Sequence, residues 1–357
     1  MPEQRLPAPD KSDQGQSDQR LIDQQAETIH FTKNWQQQLA DAFNTIEDLC
    51  RYLQLSLEDL PVSVAATRNF PLRVPLSFAA CMEKGNPHDS LLRQVLPVND
   101  ELLAYPGFNN DPVGDLPAAA QTGVLHKYYG RALFINTGSC AINCRYCFRR
   151  NFPYSDLQLS KQKEDAAIQY IQENPDITEV ILSGGDPLLL NDARLTRLLQ
   201  KLDSIDHLKR IRIHSRLPIV LPARITDELM AALAQSTKQI VIVVHCNHAN
   251  EINERVIAAF AALNNHRITL LNQSVLLKGV NDDAEVLCQL SERLFTHGIL
   301  PYYLHLLDKA TGTGHFEVPE AQALLIMKQV QATLPGYLVP KLVKEQAGAA
   351  SKTYVSS

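Results

Sequence analysis

No apolar run among the 357 residues approaches the roughly 18–20 residues that a membrane-spanning helix needs, so no transmembrane helix is expected. The opening stretch, MPEQRLPAPDKSDQGQSDQR, lacks the apolar core of a secretory leader, and a cytoplasmic location is the expectation. Basic residues are outnumbered. Lys and Arg total 34 against 39 Asp and Glu, a net charge of −5, which argues against a nucleic-acid binder held by a basic surface. Seven cysteines are too few for a disulfide scaffold at this length, and the odd number argues against complete pairing, so a reducing compartment fits. No internal repeat of fixed sequence is visible. The remaining usage, 45% hydrophobic and 20% charged, is that of a globular chain. It suits one large α/β domain with an appendage, or two average domains.

Residues 1–25 are rich in Gln, Asp, Ser and Pro and read as a disordered or weakly ordered tail. Residues 26–125 read as a mainly helical N-terminal region: Trp35, Leu39, Ala42, Phe43, Ile46 and Leu49 recur at helical spacing, and Pro71, Pro75, Pro87 and Pro97 break the pattern. Beyond residue 130 short apolar runs alternate with amphipathic stretches. Strands are predicted at Ala132–Asn136, Glu179–Leu182, Ile211–His214, Ile240–Val244, Ile268–Leu271 and Tyr302–His305. Helices are predicted at about 160–173, 192–203, 226–237, 250–263, 283–297 and 319–333, with Asp192 and Thr226 as starts. Six βα units imply a parallel sheet with right-handed crossovers, either doubly wound or an incomplete barrel.

Unusual chemistry follows each predicted strand. Cys140 follows the first, Gly184, Gly185 and Asp186 the second, and His214 with Arg216 the third. His245, Asn247 and His248 follow the fourth, Gln273 the fifth and Asp308 the sixth. Parallel α/β proteins build their sites at the carboxyl ends of strands, so one mouth would receive all six sets.

The sharpest signal is Cys140-Ala-Ile-Asn-Cys144-Arg-Tyr-Cys147. Structural zinc wants four ligands, usually as two separated pairs, and Cys50, Cys81, Cys246 and Cys288 form no second pair. Three thiols on one loop favour a [4Fe–4S] cluster with one iron left for another ligand. Zinc and plain buried cysteines are the alternatives that spacing leaves open.

This C-x3-C-x2-C motif resembles that of radical S-adenosylmethionine enzymes, whose fold is a partial (β/α)6 barrel. Ser183-Gly184-Gly185-Asp186 is similar to their glycine-rich contact with the methionine amino group, although a turn after a strand would read the same way. The likeness narrows further. The segments 126–131, 147–150, 213–216, 245–251 and 272–277 resemble lysine 2,3-aminomutases. Residues 82–88, 302–309 and the ending from Lys341 through Thr353 are similar to the short bacterial class devoted to β-lysylation of elongation factor P. The resemblance implies a partial (β/α)6 barrel over 126–335 and a C-terminal segment 336–357 that carries the pyridoxal phosphate lysine. It implies an isomerase converting (S)-α-lysine to (R)-β-lysine by a radical 1,2-amino shift. The cofactors would be a [4Fe–4S] cluster, S-adenosylmethionine and pyridoxal 5′-phosphate. The partners would be L-lysine, a flavodoxin- or ferredoxin-type reductant, and, functionally, elongation factor P and its β-lysine ligase.

Residue by residue, the resemblance makes Cys140, Cys144 and Cys147 the iron ligands and Lys352 the pyridoxal phosphate lysine. A lysine this near a terminus would otherwise read as a solvated tail residue, and the Ala347-Gly-Ala-Ala-Ser351 before it departs from the glycine run of catabolic aminomutases. Arg131 matches a pyridoxal phosphate ligand, Arg149 the arginine holding the substrate carboxylate, and Asp308 and Glu345 the acids holding the far ammonium. Glu345 is one methylene longer than the catabolic aspartate. His245 and Gln273 match residues around the cofactors. Without the resemblance, surface or core-satisfying roles would serve for each.

Overall fold

The computed structural model describes residues 27–115, 119–121, 123–152, 161–266 and 268–356, so the expected N-terminal tail lies outside the described residues. Among these, ten strands form one sheet in chain order. Strands β1 (Ala119–Gln121), β2 (Val124–Tyr128) and β3 (Arg131–Thr137) form an antiparallel meander. From β3 the sheet is parallel through β4 (Glu179–Gly184), β5 (Arg210–Ser215), β6 (Gln239–Val244), β7 (Thr269–Val275), β8 (Leu300–His305) and β9 (Lys341–Lys344). A two-residue strand, β10 (Thr353–Tyr354), turns back antiparallel on β9.

Helices α1 (Lys161–Glu173), α2 (Asp192–Asp203), α3 (Asp227–Ala234), α4 (Glu254–Asn264), α5 (Ala284–Thr296) and α6 (Glu320–Thr333) fill the crossovers. Thr226 caps α3 through Leu229 N–H as expected, whereas α2 is capped by Asn191, one residue before the predicted start. The six predicted βα units are all present. The seventh parallel strand, β9, was not predicted, because Lys341-Leu-Val-Lys344 offers only two apolar residues. The sheet runs from residue 119 to 354.

Strand β5 shows how the barrel interior is made. Ile211, Ile213 and Ser215 are buried against the helices, while Arg210, Arg212 and His214 alternate on the other face, half-buried. Most closed α/β barrels fill this inner face with branched apolar side chains. Here charged and polar side chains share it with Val241 and Leu271, and an open cavity of about 240 Å³ lies among Arg131, Glu179, Arg210, Arg212 and these two toward the amino ends of the strands. The inside is thus a chamber, and the apolar core lies between sheet and helices. That core is shared: Trp35, Leu49, Leu53, Phe78 and Leu91 of the N-terminal region belong to the same buried cluster as Phe134, Leu182 and Ile213 of the strands. The N-terminal part is mainly helical as expected, in short pieces such as Trp35–Ala40, Ile46–Tyr52 and Val64–Asn69, capped by Asn34, Thr45 and Ser63.

Candidate active site

Beyond β3 the chain enters the loop of Cys140, Cys144 and Cys147 at the mouth of the chamber. Cys144 Sγ accepts a hydrogen bond from Arg216 Nη1 at 2.6 Å. Burial pushes the Cys147 thiol up to about 11 and that of Cys140 well above its ordinary value, and the neighbouring thiols add to both. Among the described residues no three His, Cys, Asp or Glu side chains are grouped to hold a single metal ion. The thiolates of an iron–sulfur cube bind different irons. Three thiols on one loop with a guanidinium against one of them fit such an anionic cluster.

The loop is gripped from two sides. A Cβ on Gly185 would stand 2.1 Å from the Ser139 carbonyl oxygen, and one on Gly184 (φ +113°) 2.6 Å from that of Thr137. Only glycine lets the end of β4 lie this close to the loop. The Gly185 and Asp186 N–H groups donate to Thr137 and Ser139 carbonyls at 2.6 and 2.8 Å. The Asp186 carboxylate accepts from Ser215 Oγ and from the backbone N–H groups of Leu188, Arg216 and Leu217. Burial nevertheless raises it to about 6. In this structure the glycine pair and Asp186 therefore tie β4 to the cysteine loop and to the end of β5.

From the N-terminal side, Arg73 Nη1 donates to the Cys140 carbonyl at 3.2 Å, and Arg145 N–H donates to the Gln94 carbonyl at 2.8 Å. The buried Glu101 accepts from Arg145 Nε and Nη2 at 2.8 and 2.5 Å and from Arg150 Nη2 at 2.6 Å. Such charge-assisted bonds are the strong ones. Arg216 is itself placed by Gln94 at 2.7 Å and Glu251 at 3.2 Å.

Deeper in the mouth, Arg149 donates through Nε to Asp115 Oδ2 at 2.9 Å and through Nη1 to Ser183 Oγ at 3.3 Å. Lys352 Nζ lies 2.8 Å from Glu345 Oε2, and the Tyr128 hydroxyl donates to the other oxygen of Glu345. Burial tends to raise the Glu345 carboxyl, but Lys352 and Tyr128 hold it below its ordinary value. Asp308 is raised by burial to about 7, offset in part by Lys352, and it also feels Glu345, Asp115 and Arg149. His245 Nε2 stands 3.4 Å from His214 Nδ1, and burial with Arg216, Lys352 and Arg149 lowers His245 to about 4. Gln273 is half-buried on the inner face of β7. Arg131 is not at the mouth. It starts β3 and lines the chamber from the opposite end, its guanidinium 4.8 Å from the Tyr128 ring centroid. It thus connects to Lys352 through Tyr128 and Glu345.

The chamber retains buried polar atoms with no partner: Arg212 Nε, His214 Nε2 and His305 Nε2. With Lys352 and Arg131 they make a donor set that fits a phosphorylated aldehyde cofactor. Sequence reasoning missed Asp115, Tyr128, Glu101 and the Arg216–Cys144 contact. None has a local signal, since each acts on a partner between 34 and 217 positions away.

Residues 135–290 match the model of the radical SAM superfamily. The chain is 49% identical over 322 residues to the L-lysine 2,3-aminomutase of Escherichia coli, covering 90% of this chain and 94% of the relative. It is 48% identical to that of Haemophilus influenzae, covering 94% and 98%. It is 33% identical to the L-lysine 2,3-aminomutase of Clostridium subterminale, covering 90% of this chain but 77% of that longer one.

Proposed function

We propose, from the premise that the chain belongs to the L-lysine 2,3-aminomutases of the radical SAM superfamily, how its own residues serve that reaction. The protein is an isomerase that moves the amino group of L-lysine between C2 and C3. When bound, the [4Fe–4S] cluster with S-adenosylmethionine supplies a carbon-centred radical, and pyridoxal phosphate supplies the aldehyde that carries the migrating amine. Cys140, Cys144 and Cys147 would hold the cluster, the Ser183–Asp186 turn, His245 and Gln273 would border S-adenosylmethionine and pyridoxal phosphate, and Lys352 and Arg131 would hold pyridoxal phosphate.

The observation that carries the substrate assignment is the charge layout of one chamber. Arg149 stands on one side, and Asp308 and Glu345 stand within electrostatic reach of each other and of Lys352. A substrate with a carboxylate at one end and an ammonium at the other complements this layout. Arg149 takes the carboxylate with parallel hydrogen bonds. Asp308 and Glu345 take the far ammonium, the substrate replacing Lys352 as the cation beside Glu345. Burial of these groups keeps water from the reacting carbons.

The finer reading is that the product is (R)-β-lysine destined, through a β-lysine ligase, for elongation factor P. Its support is the greater likeness to the Escherichia coli and Haemophilus influenzae relatives, 49% and 48% identical, than to the clostridial one at 33%. The test is an anaerobic assay with lysine, S-adenosylmethionine and a strong reductant, read by chiral chromatography. It is followed by transfer of the product to elongation factor P by the ligase, read by mass. Formation of (R)-β-lysine that the ligase transfers is expected. The opposite enantiomer, or a product the ligase refuses, would overturn the assignment to elongation factor P.

A further inference from the structure

Asp115 lies in the mouth, just before β1, and has no part in the reading so far. Its carboxylate is 3% exposed as a residue and sits between two cations, with Lys127 Nζ at 2.5 Å on Oδ1 and Arg149 Nε at 2.9 Å on Oδ2. Lys127 is in turn fixed by the Val113 carbonyl at 2.6 Å, and the Asp115 N–H donates to Asp111 Oδ1 at 2.8 Å. Burial would raise the Asp115 carboxyl, but Arg149 and Lys127 hold it below the ordinary range, so it stays a carboxylate.

The route of the pairing matters. A guanidinium can meet a carboxylate along its Nε edge or with its terminal fork. Asp115 takes Nε, which fixes the plane of Arg149 with Nη1 on Ser183 of β4. We propose that Asp115 is the positioning residue that aims Arg149 at the substrate's carboxylate, and that Lys127, by holding Asp115, supports the same aim. The proposal rests on Arg149 being the carboxylate holder.

The experiment measures competition binding of lysine and lysinamide to the reconstituted holoenzyme, with kcat and KM for lysine. The amide lacks the charge that Arg149 reads. Asp115→Asn should raise KM about tenfold or more and change kcat much less, and it should cut the preference for lysine over lysinamide by about tenfold. Iron content and pyridoxal loading on Lys352 should stay normal. Asp115→Glu should restore part of the preference. Lys127→Gln should shift it the same way to a smaller extent, which keeps the test open if Asp115→Asn does not fold. The double variant Asp115→Asn/Arg149→Gln should show no lower preference than Arg149→Gln alone, because Asp115 acts through Arg149. Equal loss of lysine and lysinamide binding in Asp115→Asn, or a loss confined to kcat, would overturn the proposal while leaving Arg149 as the reader. A preference that survives in Arg149→Gln itself would show that the carboxylate is held elsewhere.

Discussion

Burial holds the Asp308 carboxyl at about 7, against about 3.9 for an aspartate in water. Only its ionised form can hold an ammonium. Lysine affinity should therefore rise about tenfold between pH 6 and pH 8, and Asp308→Asn should flatten that step. The sign for stability is opposite. A carboxyl raised in the folded state favours folding at low pH, and this contribution is lost as pH rises through about 7. The lysine-free chain should accordingly lose stability over the same interval in which it gains affinity, by an amount that Asp308→Asn abolishes. Asp308→Asn should also slow lysine turnover roughly ten- to a hundredfold, the scale of a buried charge-assisted bond, and spare an analogue that is uncharged at its far end. An equal loss for both substrates would make Asp308 a structural residue. Lys352 allows a separate check. Lys352→Ala should abolish the borohydride-trapped pyridoxal adduct while iron content stays normal, because the cysteine loop is held by Gly185, Arg73 and Arg145. Undiminished trapping on another lysine would move the assignment.

Between residue and fold, the contact that most limits substitution is that of β4 with the cysteine loop. Gly185→Ala places a methyl group 2.1 Å from a backbone oxygen that has no flexible side chain to yield. The loop must shift, at a cost at or above the usual ~1–3 kcal/mol of overpacking. The expected outcome is a soluble chain with less iron per molecule and a lower Tm. Full iron content would show that the loop can move without disturbing its thiols. This contact also marks the limit of what the sequence discloses. The three thiols, the glycine pair and six βα units were legible, because apolar strands of six or seven residues and amphipathic helices write their periods locally. The resemblance added Lys352, Arg149, Asp308 and Glu345. Strands β1, β2, β9 and β10 were not legible, being short or largely polar at the borders of the sheet. Nor was the second duty of Gly185, since its partner Ser139 lies across a turn that only the folded register brings near. Asp115 was silent for the same reason, its meaning residing in Arg149 and Lys127.

At the scale of the whole molecule, the described strands do not close a barrel by pairing. The two borders of the sheet meet through side chains instead: the Tyr128 hydroxyl on Glu345, and Gly114 packed beside Ala347. That junction also carries Lys352, so the closure of the chamber and the placement of its lysine are one structural event. Tyr128→Phe tests this. The ring stays beneath Arg131, and only the hydroxyl is lost. Glu345 keeps Lys352 but loses its other strong donor, which typically costs about 1.5–3 kcal/mol for a hydrogen bond to a charged group. The loss falls on a contact between the borders of the sheet, so it should appear as local opening and not as global unfolding. Hydrogen exchange should quicken in β2, β9 and β10 and remain slow in β4 to β6, whose cores are buried on the helix side. Lysine KM should rise, because Glu345 is freer to stay with Lys352, while iron content should not change, because the cysteine loop is anchored on the far side of the mouth. Unaltered exchange in β9 and β10 would mean that the packing of Gly114 on Ala347 closes the chamber by itself and that Tyr128 serves only to tune the carboxylate it touches.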